Sequence, residues 1–277
     1  MLVTTGEIVA QAAAAGRGVA AFNVITLEHA EAIVAGAEKA ALPVILQISQ
    51  NAVKFHSGQL KPIAAGAAAV ADAATVPVSL HLDHIEDDAL LHQAVDTGFS
   101  SAMYDASTLD YADNVAATHA AAEWAHRNGL WLEAELGEVG GKDGAHAPGV
   151  RTDPDEAAAF VKATGVDALA VAVGSSHAMT ERTAVLDHEL ISRLRDALAV
   201  PLVLHGSSGV PDPELRQAVA AGMVKINIGT ALNVAFSGAV REFLAHDDRT
   251  VDPRKYLKPA RTAMADAVAH ALTLLAG

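Results

Sequence analysis

Three histidines stand near the ends of three separate apolar runs. His84 closes His81-Leu82-Asp83-His84, His177 follows Gly174-Ser175-Ser176, and His205 precedes Gly206-Ser207-Ser208-Gly209. Neutral imidazole is the usual nitrogen donor to zinc, and catalytic zinc commonly takes three protein ligands while keeping a fourth position open. The intervals of 93 and 28 residues are far too long for a zinc finger and suit a site that a fold assembles. Taken singly, each histidine reads as readily as a hydrogen-bonded structural residue. Asp83 reads as a general acid or base, with an imidazole-orienting partner as the alternative. In a regular strand its side chain and that of the adjacent His84 diverge. Asp105 and Glu135 add carboxylates that can hold a second cation, orient His84, or serve as structural ion pairs.

A second constellation is anion-shaped. Gly206, Ser207 and Ser208 after one run, and Asn227, Gly229 and Thr230 at the end of the next, combine backbone N–H groups freed by glycine with hydroxyl donors, the chemistry of a phosphate cradle. Asn23 and Ser49 are polar positions in apolar runs, suited to substrate hydroxyls or to hydrogen bonds within the fold. Lys225 offers a competing chemistry, since a desolvated lysine can form a Schiff base. The glycine-laden stretch 138–149 reads as a lid.

These groups need a scaffold that brings distant strand ends together. Apolar runs at 19–25, 43–49, 77–84, 100–107, 131–137, 168–174, 202–208 and 223–230 alternate with helical patterns at 28–41, 60–74, 89–97, 114–128, 155–164, 189–199 and 214–221. Eight strands that are apolar nearly throughout describe a parallel sheet buried on both faces, and closure of eight gives a (β/α)8 TIM barrel of the α/β class. No Gly-x-Gly-x-x-Gly follows the first run, which disfavours an open dinucleotide-binding sheet. In a barrel, polar residues at the carboxyl ends of the strands face one shared site. Asp153-Pro154-Asp155-Glu156 supplies a helix start, and Asp212-Pro213 repeats its first half. We expect one barrel domain over 1–277, with a C-terminal helical extension from about residue 236.

The composition narrows the field. With 33 acidic against 19 basic residues the formal charge is −14, which argues against a nucleic-acid partner. The absence of cysteine excludes disulfide scaffolds, iron–sulfur clusters, thiolate zinc modules and cysteine nucleophiles. Thr4 and Glu7 read as a capping box rather than part of a leader, and no apolar run approaches a membrane span. A cytoplasmic protein without a membrane partner is expected.

Together, VSLHLDH at 78–84, WLEAELGEVGG at 131–141, ALAVAVGSSH at 168–177, LVLHGSSG at 202–209, VKINIGT at 224–230 and DPRKYLKPAR at 252–261 resemble the class II, metal-dependent ketose-bisphosphate aldolases over essentially the whole chain. The resemblance implies catalytic Zn2+ on His84, His177 and His205, proton transfer by Asp83, and Asp105 and Glu135 lining an alternative metal position. It implies that Gly206, Ser207, Ser208, Asn227, Gly229 and Thr230 hold the phosphate of a dihydroxyacetone-phosphate half, beside a monovalent cation (Na+ or K+). Asp143 would be the acid of the lid, and Arg254 would meet the distal phosphate, across a subunit contact in a homodimer or homotetramer. Ala178, Ser207 and Ile85 stand where the family usually carries glycine. The implied substrate is a phosphorylated sugar: fructose 1,6-bisphosphate, tagatose 1,6-bisphosphate, or a phosphorylated keto-deoxy sugar acid. A sugar-phosphate-binding barrel without turnover is the non-catalytic alternative.

Overall fold

Thr4 and Glu7 form the capping box their spacing predicts. The Thr4 hydroxyl accepts from the Glu7 N–H and the Glu7 carboxylate accepts from the Thr4 N–H, so helix α1 (Thr5–Ala14) starts at a fixed point. Its Ile8 and Val9 pack on Val19, Ala21, Ile45 and Val224, and its Thr5 hydroxyl donates to Ser79 Oγ at 3.0 Å. α1 thereby plugs one end of the sheet described next. The computed structural model describes residues 1–136, 150–176 and 179–277.

Eight parallel strands pair in chain order: β1 (Val19–Asn23), β2 (Val44–Ser49), β3 (Val78–Ile85), β4 (Ser101–Tyr104), β5 (Trp131–Glu135), β6 (Ala168–Ala170), β7 (Leu202–Leu204) and β8 (Met223–Ile228). β8 pairs back onto β1, so the sheet closes as the barrel expected from the sequence. Residues such as Leu46, Leu80, Leu132 and Leu169 are wholly buried on this sheet, as a sheet covered on both faces requires. β6 and β7 are shorter than the apolar runs that encode them. After each, the chain leaves the ladder through a glycine at positive φ, Gly174 (121°) and Gly206 (67°).

The outer layer is α2 (Leu27–Ala40), α3 (Gln50–Phe55), α4 (Leu60–Ala73), α5 (Asp88–Asp96), α6 (Tyr111–Arg127), α7 (Pro154–Thr164), α8 (His188–Ala197) and α9 (Asp212–Ala221), followed by α10 (Thr230–His246) and α11 (Pro253–Ala276). Asp153 caps α7 as predicted, accepting from the N–H groups of Asp155 and Glu156. Asp212 does not cap α9. Pro211 occupies the cap position, and the Asp212 carboxylate instead receives Arg182 and, at 2.7 Å, His270, two long-range partners. α11 lies against α2 so closely that a Cβ on Gly36 would sit 2.5 Å from the Ala265 carbonyl oxygen. Among the described residues no helix is long and apolar enough to cross a membrane.

Candidate active site

Asp83 and His84 reach the same point because β3 is irregular where they stand. The register against β4 shifts between Leu82 and Ile85, and His84 takes a left-handed backbone conformation with φ of 49°. That conformation is costly for a residue with a Cβ and persists only where the surroundings enforce it. The strand is not regular at this point, so the divergence of a regular strand does not apply: ligand atoms of Asp83, His84 and His205 lie within 4.8 Å of one another, as do those of His84, Asp105 and Glu135.

The two histidines meet edge to face, with Nε2 of His84 3.0 Å from Nδ1 of His205. Each ring is gripped from behind by a carboxylate, His84 Nδ1 by Asp105 at 2.7 Å and His205 Nε2 by Glu133 at 2.9 Å. Asp105 is itself held by the Ser107 hydroxyl and N–H. Glu135 Oε2 approaches His205 Nδ1 to 3.9 Å. This donor set fits zinc. Carboxylate-backed imidazoles are its usual ligands, and two nitrogens about 2.0–2.1 Å from a tetrahedral ion stand about 3.3 Å apart. The third expected ligand, His177, lies outside the described residues, as do Ala178 and the stretch 138–149 expected to be a lid, with Asp143 in it. The backbone of the neighbouring Ser176 packs against Gly206.

Burial alone lowers the His84 imidazole, but the surrounding carboxylates, Asp83 first and then Asp105, push it up to about 10. Burial raises the Asp83 carboxyl from its ordinary value, opposed by His84 and Lys225. Burial would raise Asp105 too, yet the bonds from His84 and Ser107 hold it well below the usual carboxylate range. His81, taken as structural from its place deeper in β3, is fully buried and bonded through Nδ1 to Ser101 Oγ at 2.8 Å. Burial, reinforced by Lys225, keeps its ring neutral.

Around this centre lies a cavity of about 640 Å³, lined by Asp83, His84, Asp105 and His205 and by the loops after β1, β2, β7 and β8. One side carries Gly206, Ser207, Ser208, Asn227, Gly229 and Thr230. The Ser208 hydroxyl accepts from the Ala231 N–H, and no side chain caps α10 at Gly229, so a helix N-terminus opens toward these loops. The Ser207 hydroxyl is turned inward and donates to the Leu204 carbonyl. The other side carries Gln50, Asn51, Lys54 and Phe55 of α3 together with Glu86. Ser49 lines the cavity and also caps α3, accepting from the Ala52 N–H. Asn23 accepts from Gln47 Nε2 at 2.9 Å. Both residues thus line the cavity and hydrogen-bond within the fold. Arg254 is elsewhere: its side chain is 89% exposed at the start of α11 and bonded to Asp252.

Three participants escape the sequence reading. Gln47 stands in an apolar run, lines the cavity and points Nε2 at Asp83 Oδ2 from 3.4 Å. Glu133 shares a strand face with Glu135, two residues on, and that alternation was the available signal. Lys54 belongs to a helix too short to show a period. Lys225, the Schiff-base candidate, is fully buried, ion-paired to Glu133 at 2.8 Å, and does not line the cavity.

The comparisons with known proteins converge. The family described as fructose-bisphosphate aldolase class-II matches residues 3–277. A fructose-bisphosphate aldolase of Geobacillus stearothermophilus is 39% identical over 95% of this chain and 93% of its own. One from Thermus caldophilus is 38% identical over 99% and 98%. Among solved structures, the YdjI aldolase of Escherichia coli K12 superposes with a TM-score of 0.86 at 33% identity, covering 99% of this chain and 97% of that one. A fructose-bisphosphate aldolase from Campylobacter jejuni gives 0.82 at 25% identity, covering 99% and 95%.

Proposed function

This chain belongs to the class II fructose-bisphosphate aldolase family and is a carbon–carbon lyase; from that premise we propose that it is a zinc enzyme that reversibly cleaves a ketose bisphosphate to dihydroxyacetone phosphate and an aldehyde. The observation that carries the reading is the pair of facing imidazoles, each backed by a carboxylate, with Asp83 beside them. His84, His205 and His177 would hold the ion, and Asp105 and Glu135 line its alternative position. Zinc bound there supplies a Lewis acid for the negative charge that bond cleavage leaves on the ketone half.

The chain's own groups do the rest. Asp83 takes the proton from the C4 hydroxyl as the C3–C4 bond breaks, so the aldehyde carbonyl forms. Its raised carboxyl suits an acceptor. Gln47, held by Asn23, keeps Asp83 in place. The loops at Gly206–Ser208 and Asn227–Thr230 hold the phosphate of the dihydroxyacetone-phosphate half, and the N-terminus of α10 favours its charge. The monovalent cation beside it rests on the family resemblance alone. At the far side Lys54 is the cation that the described lining offers to a second anionic group. Arg254, exposed and not among the residues that line its own cavity, fits a contribution to a neighbouring subunit of a homodimer or homotetramer. Asp143 remains the proposed acid of the lid.

A coupled assay for dihydroxyacetone phosphate tests this on the zinc-loaded protein, with a chelated control, against fructose 1,6-bisphosphate, tagatose 1,6-bisphosphate and a phosphorylated keto-deoxy sugar acid. Chelator-sensitive cleavage of a bisphosphate is expected. Cleavage of the sugar acid alone, or binding of these sugars without cleavage, overturns the proposal.

A further inference from the structure

We propose that Gln50 is a positioning residue whose side-chain amide continues the pairing of β3 where β2 ends, and so latches the bulge that brings Asp83 and His84 to one point; its effect on zinc rests on the metal site proposed above. β2 and β3 pair in register as far as Ser49 and Asp83. There Ser49 caps α3, the chain turns into the helix, and β3 runs on to Ile85 without a β2 backbone beside it. On its other side β3 carries one residue too many. Leu82 and Ile85 oppose Ala102 and Tyr104 of β4, so Asp83 and His84 share the single place between them. Such a bulge re-aims side chains at the cost of an unusual backbone angle, here the φ of 49° at His84. A histidine leaves that conformation unless the chain is held on both sides of it.

Before the bulge the β2 and β4 ladders hold the chain. After it there are two anchors. On the β4 side the Asp105 N–H donates to the Ile85 carbonyl at 2.8 Å. On the β2 side Gln50 Oε1 accepts from the Glu86 N–H at 3.0 Å, and Gln50 Nε2 donates to Glu86 Oε2 at 3.0 Å. The two bonds admit one orientation of the amide, since the reverse would set its N–H2 against the backbone N–H and its carbonyl against the carboxylate. Glutamine mostly stands on the surface, yet Gln50 is only 8% exposed. A side-chain amide carries the same donor and acceptor as a peptide group, so Gln50 gives β3 the neighbour that the turn into α3 takes away. No substrate enters either bond, and the bulge is therefore set before a ligand arrives.

Two variants test the latch beside wild type. Gln50→Met keeps the bulk and removes both bonds. Gln50→Glu/Glu86→Gln exchanges the partners, so that a carboxylate at position 50 accepts from the same backbone N–H and from the amide at position 86. In the metal-free proteins, NMR reads the latch from hydrogen exchange of the residue 86 amide and the His84 backbone from its carbon chemical shifts. Competition with a chromogenic chelator reads zinc affinity. The wild type is expected to show a protected amide and left-handed His84 shifts. Gln50→Met is expected to lose both and to bind zinc about 10-fold more weakly, and the exchanged pair to restore all three. A wild-type Glu86 amide that exchanges as freely as an open loop overturns the inference whether or not the variants fold. So does a folded Gln50→Met with wild-type His84 shifts or, where the wild type binds zinc, with wild-type affinity. An exchanged pair that behaves like Gln50→Met overturns it as well. A wild type that binds no zinc while the amide and the His84 shifts respond as expected sinks the metal site and leaves the latch standing.

Discussion

Asp83 and His84 are adjacent in the chain and converge on one point, because the irregularity in β3 and the left-handed backbone of His84 bring two side chains of a strand to the same face. The spacing places a proton acceptor beside a metal ligand without a second loop to carry either. It also separates their roles, since Asp83 is also approached by Gln47 and Asn227, whereas His84 is held by Asp105.

Replacing the acceptor tests that separation. Asp83→Asn keeps the shape and removes the base, so it should retain zinc at wild-type stoichiometry while kcat falls about 10²-fold or more. Metal analysis and steady-state kinetics on the same sample decide it. Turnover near wild type means that the proton goes elsewhere.

Chelation should stop turnover and leave the fold. The barrel closes through eight strands, and its buried residues form clusters that owe nothing to the histidines. Far-ultraviolet circular dichroism of the chelated protein should match that of the loaded one, with activity restored by zinc. Loss of helical signal on chelation would make the ion a folding element.

The barrel and the positions of its strand-end groups are legible from periodicity, since apolar runs and histidines at their ends need only local pattern. What is not legible is anything that depends on a bulge or on a partner far along the chain. Nothing at His84 announces a positive φ, because the signal for such a backbone is glycine and the sequence offers none. Asp212 matches a cap by its neighbours, and only Arg182 and His270, brought in from distant segments, draw it away. Ser49 ends one apolar run and begins a helix of six residues, too brief for a period, so α3 and Lys54 on it stay hidden.

Lys54 should discriminate between substrates. It is an exposed side chain on the cavity rim, where a single charge pair contributes about 1 kcal/mol or less. Lys54→Ala should therefore raise KM for a bisphosphate by roughly fivefold and leave a substrate lacking the distal anion unaffected. Equal losses on both would assign Lys54 to the support of α3 and not to the ligand.

Gly36 tests the helix contact behind the barrel. Alanine there drives a methyl against the Ala265 carbonyl oxygen and the Val268 side chain at 2.5 and 2.6 Å, and the backbone oxygen cannot rotate away. Overpacking of this kind costs about 1–3 kcal/mol. Urea unfolding of Gly36→Ala should show that loss with an unchanged m-value, and unchanged stability would mean that α11 slides freely on α2.

His29 makes stability depend on pH. The ring is buried, bonded to Thr26 at the start of α2 and stacked on Phe236 of α10 with centroids 5.2 Å apart. Burial holds its imidazole below the ordinary value of 6.5, against weaker opposing pulls from Asn233 and Glu28. Between the lowered folded value and 6.5 the unfolded chain binds the extra proton, so the contribution is present above pH 6.5 and drains away as pH falls through the histidine range. His29→Gln removes the titration and keeps a side chain that can accept at the cap. Wild type should lose stability relative to this variant on going from neutral to mildly acidic pH, as read by paired urea melts. A difference that stays constant, or that grows in favour of wild type as the solution is acidified, would mean that the buried ring takes up its proton without penalty.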